Sequence, residues 1–281
     1  RPPRSTLFPY TTLFRSQMSQ MLRALWAYRG FILGSVKRDF QSNYRNSMLG
    51  AAWTVLNPLA MILVYTVIFA EVMKAKLPGV DNTFGYSIYL CAGIFTWGFF
   101  AEIVSKALNV FINNANMLKK LAFPRMCLPV IIVLGAGANF GIIFSLFLAF
   151  LVIAGSFPGA AVLAAIPLLL LLVLFAIGLG ITLGVLNVFF RDVGQFFGIF
   201  LTFWFWLTPI VYAPAGVPEG IRSVLELNPM YPLMQGFQQI FVHGAVPDWA
   251  RLWPVSVLAI LSCVLGLYLF RRHAGEMVDE L

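Results

Sequence analysis

Few residues in the long apolar runs of this chain could do chemistry. Glu102 and Lys106 stand four positions apart, a spacing that places both on one face of a helix. An ion pair within a membrane is a candidate functional site. This pair stands near the end of its apolar run, so a self-neutralising structural pair is the alternative. Arg191 and Asp192 directly follow another apolar run, where an arginine can also anchor a helix end at the membrane surface.

The sequence contains no pattern that predicts catalysis or metal binding. It has no cluster of paired carboxylates in the apolar runs, no nucleophile elbow, no HExxH motif and no glycine-rich loop ending in Lys-Ser or Lys-Thr. Cys91, Cys127 and Cys263 stand among apolar residues, as small buried side chains do, and the only histidines are His243 and His273. If this chain takes part in ATP-driven work, another chain must bind the ATP.

An aromatic cluster, FWFW at residues 203–206 with Tyr212 beyond Pro209, has two interpretations. Aromatic residues at a membrane edge usually form an interfacial belt or pack against other helices. The second interpretation is a channel wall, on which flat rings stack against the apolar faces of sugars. The residues alone leave both open.

The composition predicts a protein that crosses a membrane several times. Of 281 residues, 60% are hydrophobic and only 11% are charged, and the mean hydropathy is +0.86; soluble domains carry about 25% charged residues. A helix that crosses a membrane, called a span here, needs roughly 20 predominantly apolar residues. Residues 213–251 are rich in proline and glycine and predict short re-entrant or interfacial helices. The predicted spans are residues 49–72, 86–110, 128–154, 160–190, 196–212 and 252–270.

Residues 22–40 predict an amphipathic helix rather than a span. Five charged residues interrupt the stretch, and Leu22, Trp26, Leu33 and Phe40 belong to one helical stripe. A basic amphipathic helix with a tryptophan fits a membrane surface. An ordinary helix packed on protein is the alternative.

The first sixteen residues, RPPRSTLFPYTTLFRS, match the translation of a common short-read sequencing adapter. We therefore expect residues 1–16 to be a non-native tail and native translation to begin at Met18 or Met21. Without the tail's three arginines the formal net charge falls from +8 to +5.

Lysine and arginine predict the orientation, because they gather in cytoplasmic loops. With the N-terminus inside, twelve of the sixteen basic residues after position 16 lie in inner segments. Both termini and the loop at residues 113–129 are then cytoplasmic, and the basic charge reflects topology rather than binding to nucleic acid. The four outer basic residues are Lys74, Lys76, Arg222 and Arg251.

Five stretches occur in an order and spacing that resemble one family. They are RDFQSNYRNSMLGAAW (38–53), NMLKKLAFPRMCLP (116–129), FFRDVGQ (189–195), LTPIVY (207–212) and LNPMYP (227–232). Together they resemble the permease subunit of ABC-2-type exporters of polysaccharides and polyol phosphates, which include O-antigen, capsule and teichoic-acid exporters. The resemblance covers nearly all of residues 17–281.

The resemblance implies an assembly of two permeases, a homodimer, with two ATP-binding cassette subunits. ATP and Mg bind to the partner subunits, so no cofactor is expected in this chain. The implied fold is all-α and integral to the bacterial inner membrane, with six transmembrane helices, an N-terminal amphipathic surface helix and short periplasmic-side helices between spans five and six. The substrate is a lipid-linked glycan.

The resemblance also implies roles for particular residues. The loop between spans two and three is a coupling helix that docks on the ATPase. Three residues lie where a lipid-linked glycan would enter, and the donor fork of arginine suits its diphosphate. The coupling residues are Asn116, Lys119, Lys120, Phe123, Pro124 and Arg125; the entry residues are Arg38, Tyr44 and Arg45; the channel aromatics are Trp53, Phe203, Trp204, Trp206 and Tyr212.

We therefore predict the permease of an ATP-driven exporter of a lipid-linked polysaccharide or polyol phosphate. After the tail, we expect a cytoplasmic interface segment (17–48), a six-helix domain (49–271) and a cytoplasmic tail (272–281). One alternative is an ABC-2 permease for a drug or a small glycolipid. A remote alternative is an integral membrane transferase, which would need acidic or histidine residues clustered at one membrane face; Glu102, Asp192 and His273 do not obviously form such a cluster.

Overall fold

A computed structural model describes residues 23, 25–42, 48–72, 77, 82–120 and 127–281. The predictions for residues 1–16, for the start at Met18 or Met21, and for Tyr44, Arg45, Phe123, Pro124 and Arg125 fall outside this part of the chain. Within the described part the regular structure is helical, and no strand occurs. This confirms the predicted all-α membrane fold.

Eleven helices are labelled here in chain order. Short 3-10 turns precede α2 at Gly50–Ala52, α6 at Gly159–Ala164 and α10 at Trp249–Leu252, and α2 continues as a π-helix over Thr66–Val72. The helices are α1 (Arg29–Ser42), α2 (Trp53–Tyr65), α3 (Gly85–Asn113), α4 (Ala115–Lys120), α5 (Cys127–Ile153), α6 (Ala165–Phe189), α7 (Asp192–Trp206), α8 (Glu219–Glu226), α9 (Met230–His243), α10 (Trp253–His273) and α11 (Glu276–Glu280).

Five helical stretches in the described part are long and apolar enough to cross a membrane. Each agrees with a predicted span to within a few residues. The stretches are Trp53–Ala70, Gly85–Asn113, Cys127–Ile153, Gly159–Phe189 and Trp249–His273.

The predicted fifth span, residues 196–212, forms a shorter helix than expected. Helix α7 has 15 residues and ends at Trp206, which gives a length of about 22 Å at 1.5 Å per residue, whereas the apolar layer of a membrane is about 30 Å thick. The sequence did not reveal this ending, because the apolar run continues through Leu207 and past Pro209. The count of six spans stays a prediction.

Helix α3 is the centre of the bundle. Of its most apolar 18 residues, 78% are buried, against 22–28% in the other four spanning stretches. Helices α5, α6 and α9 all pack on it. Gly180 and Gly184 allow α6 to approach closely, because a Cβ at Gly184 would stand 2.5 Å from the carbonyl oxygen of Ala107. Small residues serve this purpose between membrane helices generally.

Helix α1 packs against α5 at the side of the bundle. Ile32 is buried in this contact, whereas Trp26 and Leu33 from the predicted stripe remain exposed. The protein contact and the exposed apolar residues are compatible with a helix that has one side on the bundle and another toward lipid. Its location at a membrane surface stays a prediction.

Candidate functional site

The ion pair predicted between Glu102 and Lys106 is present and belongs to a larger polar cluster. The Nζ atom of Lys106 lies 3.0 Å from Glu102 Oε1 and 3.1 Å from Asp39 Oδ2. Asn139 on α5 donates a hydrogen bond to the other carboxylate oxygen of Glu102. The cluster therefore joins α1 to α3 and α5. The sequence pointed to Glu102 and Lys106 but missed Asp39 and Asn139; an asparagine within the apolar run of α5 was the available signal.

The described part of the predicted coupling loop forms a short helix at the end of α3. The amide of Asn114 donates to the carbonyl oxygen of Val110, and α4 follows after this turn. Asn116 and Lys119 are exposed, while Leu118 is buried beneath them. Lys120 is the last residue of α4. The helix thus presents polar residues outward and is attached to the bundle by an apolar one.

The connection between α6 and α7 lies beside the same end of α3. The side-chain amide of Asn187 donates to the carbonyl oxygen of Leu108, and its oxygen accepts a bond from the backbone N–H of Gly194. Arg191 is exposed in this connection. Asn187 is only 2% exposed and was not identified from the sequence, although a lone asparagine in an apolar run was a usable signal.

Basic residues are exposed on this whole end of the bundle. Phe111 near the end of α3 stacks on Phe270 near the end of α10, so Arg271 and Arg272 lie at the level of α4. Helix α4 also contacts α11. The exposed basic residues at this end are Lys119, Arg191, Arg271 and Arg272.

Trp204 lies in the core of the bundle. Its side chain is 8% exposed and packs edge-on against Phe100 and Trp97 of α3, with ring centroids 5.4 and 5.9 Å apart. Its indole N–H donates to Asn228 Oδ1 at 2.8 Å. The ring faces α3 rather than a surface of this protomer, which supports the packing interpretation for Trp204.

The other predicted channel aromatics are more accessible. Phe203 and Trp206 are 64% and 60% exposed, and Trp53 is 47% exposed. Tyr212 is half-buried, and its hydroxyl donates to the carbonyl oxygen of Trp206. On α7 the most exposed apolar residues form one stripe at helical spacing: Phe196, Ile199, Phe203 and Trp206.

The stretches LTPIVY and LNPMYP meet in space. The amide of Asn228 donates to Thr208 Oγ1 and to the carbonyl oxygen of Leu207. The carbonyl oxygen of Pro209 accepts bonds from the hydroxyl of Tyr89 and the amide of Gln238. These bonds satisfy backbone groups that become free where α7 ends. Asn228 and Gln238 are structural residues that the sequence did not assign.

Arg38, the described member of the predicted entry set, is exposed on α1. Its guanidinium donates to Ser35 Oγ at 2.9 Å.

No group of three or more histidine, cysteine, aspartate or glutamate side chains that could hold a metal ion occurs in the part of the chain that the structure describes.

Residues 32–242 match the family described as ABC-2 type transporter. The chain belongs to the ABC-2 type transporter family. Permeases of this family that serve ABC exporters work with an ATP-binding subunit. The five long apolar helices agree with a protein that crosses the inner membrane several times. The members of the matched family and the relatives described below are transport permeases and not enzymes.

Curated relatives align with almost the whole chain of this ABC-2 family member. The O-antigen export system permease protein RfbA of Myxococcus xanthus is 32% identical over 266 residues, which cover 94% of this chain and 100% of the relative. An RfbA of Klebsiella pneumoniae is 31% identical, covering 87% of this chain and 92% of the relative. The polysialic acid transport protein KpsM of Escherichia coli is 18% identical, with 86% and 93% covered.

Proposed function

We propose that this chain is the channel-forming permease of an ATP-driven exporter that moves a lipid-linked polysaccharide or polyol phosphate from the cytoplasm to the outer face of the inner membrane. The observation that carries the proposal is the 32% identity to an O-antigen export permease over that relative's full length. Two copies of the permease and two ATP-binding subunits form the working transporter. Both termini and the loop at residues 113–129 are cytoplasmic.

The exposed face of α4 supports a role in coupling. Asn116 and Lys119 point away from the bundle, whose end is basic, and α4 directly continues α3, the most buried helix. A push on α4 would therefore reach the centre of the bundle. Lys120, Phe123, Pro124 and Arg125 complete the proposed contact with the ATPase.

Two further surfaces complete the proposed path. Arg38 on α1, with Tyr44 and Arg45, receives the diphosphate of the lipid-linked glycan. The exposed rings of Trp53, Phe203 and Trp206, with Tyr212, face the channel between two permease copies. Rings exposed on an isolated protomer are available to a second copy or to the polymer.

The cargo is tested by deleting the gene in its source strain and restoring it on a plasmid. Surface polymer should disappear on deletion and return on complementation, measured by polysaccharide blotting of intact cells. Surface polymer unchanged by the deletion would overturn the cargo assignment. Loss of drug resistance with normal polymer would instead point to a drug permease.

The coupling assignment is tested by Phe123→Ala and Arg125→Glu. We expect normal amounts of permease in the membrane, with export reduced at least tenfold, because the ATPase loses its contact. Arg222→Glu, a charge reversal on exposed helix α8, is the matched control and should export normally. Normal export by the Phe123 and Arg125 variants would show that this loop does not transmit force.

A further inference from the structure

A cavity of about 510 Å³ lies at the end of the bundle opposite to α4. It is formed by α9, the beginning of α3 and the segment before α10. Tyr89 contributes to its wall, and Asn113 lies 24 residues farther along α3, about 36 Å away at 1.5 Å per residue. The volume is within the range of roughly 300–1,000 Å³ that is usual for sites that bind small molecules.

One wall of the cavity is a line of polar side chains on a mostly buried helix. Gln235, Gln239 and His243 follow each other at intervals of four on α9 and all line the cavity. The other faces of α9 are buried against the bundle through residues such as Met234 and Phe237. Gln235 and Gln239 are half-buried and His243 is exposed, so this polar line faces the open space of the cavity, where a ligand can reach it.

These three side chains are available to a ligand. Among the described residues, no side-chain hydrogen bond is formed by Gln235, Gln239 or His243. Gln238, the neighbouring amide on the deeper side, is by contrast occupied, since it donates to the carbonyl oxygen of Pro209. Each free amide offers donors and an acceptor close together, which is the pattern that vicinal hydroxyl groups require.

The charge at the rim favours a neutral ligand. Arg251 Nε lies 3.2 Å from Asp248 Oδ2, so the two charged residues that line the cavity neutralise each other. An anion would find no unpaired arginine or lysine among the described lining residues. Pro214, Pro232 and Pro247 add apolar surface, against which the C–H face of a sugar ring can pack.

We propose that this cavity binds a short, neutral, hydroxyl-rich saccharide segment of the exported polymer on the exit side of the permease. The inference rests on the proposed function, because the polymer is the saccharide that reaches this end of the bundle. The amides of Gln235 and Gln239 and the imidazole of His243 bind the hydroxyl groups. Weak binding is sufficient here, since a conducted species must also leave.

Binding is tested with the complete transporter in lipid nanodiscs. The probes are di- to hexasaccharides prepared by mild acid from the strain's own surface polymer, with inorganic phosphate as the anionic competitor, and binding is measured by saturation-transfer NMR. The variant Gln235→Leu/Gln239→Leu should bind roughly tenfold more weakly, because two hydrogen-bonding amides are lost. Gln195→Leu, the same type of substitution at a single exposed position on α7, should bind like the wild type.

Two binding outcomes would overturn the proposal. One is equal binding of the saccharides by the double variant and the control. The other is displacement of the saccharides by inorganic phosphate at similar concentrations, which would identify an anion site. Leucine suits a helix well, and thermal unfolding of each variant checks that the fold is retained.

An export experiment separates failure of this inference from failure of the proposed function. Each variant is expressed in the deletion strain, and surface polymer, permease amount and ATPase activity are measured. We expect severalfold less surface polymer with the double variant at unchanged permease amount. If the wild-type gene does not restore polymer, the proposed function is wrong. If it does, and the double variant exports as well as Gln195→Leu, only the cavity inference is wrong.

Discussion

Lys106 lies between two carboxylates that come from different helices. Glu102 precedes it by one turn on α3, and Asp39 belongs to α1. All three side chains are partly exposed, so the energetic value of each pair is modest. The geometric effect is larger, because the cluster attaches a peripheral helix to the centre of the bundle.

Replacing Lys106 should loosen this attachment. Lys106→Met removes the cation that joins Asp39 of α1 to Glu102 of α3, so amide hydrogens of α1 should exchange severalfold faster in detergent, as measured by mass spectrometry. In an Asp39→Asn background the Lys106→Met change should have a smaller effect, because the ion pair between α1 and α3 is already lost, and a double-mutant cycle detects this coupling. Lys37→Met, on the exposed side of the same helix, is the control. Unchanged exchange in Lys106→Met would show that the cluster does not hold α1.

Two tryptophans on α7 should respond differently to truncation. Trp204→Ala removes a buried ring and the bond to Asn228, and such losses cost about 3–5 kcal/mol in protein cores. Trp206 is 60% exposed, so Trp206→Ala should leave stability nearly unchanged and reduce export if this ring faces the channel. Thermal unfolding in detergent and surface polymer are the two measurements. Equal unfolding temperatures for the two variants would contradict the placement of Trp204.

Helix α3 determines how the other elements are arranged. Helices α5, α6 and α9 pack directly on it, and α4 continues from its end. Its contact with α6 is close, because Gly180 and Gly184 face Ala107 without a side chain between the backbones. Helix α6 in turn approaches α10 through Gly178, whose Cβ would stand 2.6 Å from the backbone nitrogen of Cys263.

A methyl group at Gly184 should separate α3 from α6. The added Cβ would stand 2.5 Å from a backbone oxygen, so the helices must move apart. We expect Gly184→Ala to lower the unfolding temperature and the amount of permease in the membrane. Gly141→Ala on α5 is the matched control, since nothing lies within 4 Å of its Cβ, and alanine favours a helix over glycine by about 1 kcal/mol. Similar behaviour of the two variants would argue against close packing at Gly184.

The whole molecule has two different ends joined by an apolar bundle. One end exposes Lys119, Arg191, Arg271 and Arg272, and the other contains α8, α9 and the polar cavity. We predict that the basic end faces the cytoplasm, because lysine and arginine gather on that side of a membrane. The apolar stripe on α7 extends between the two ends, and we propose that a second copy of the permease packs on it.

Cysteine labelling tests this orientation. The test uses a Cys263→Ser background. The remaining cysteines, Cys91 and Cys127, are buried, so an introduced, exposed cysteine accounts for most of the labelling. Glu219→Cys on α8 should react with a membrane-impermeant maleimide in intact spheroplasts, because α8 is predicted to lie outside. Glu280→Cys on α11 should react only after the membrane is opened. The reverse pattern would invert the proposed topology.

The sequence by itself determined the membrane class, five of the predicted spans and the family, because these depend on composition, on the length of apolar runs and on ordered motifs. The pair Glu102–Lys106 was also visible, since its partners lie one helical turn apart. Tertiary structure decided the rest. It buried Trp204 while leaving Trp206 exposed, brought Asp39 to Lys106 across 67 positions, and directed Gln235 and Gln239 into one cavity. An apolar residue that faces lipid and one that faces protein look the same in sequence, because both avoid water; only the packing of helices distant in the chain distinguishes them.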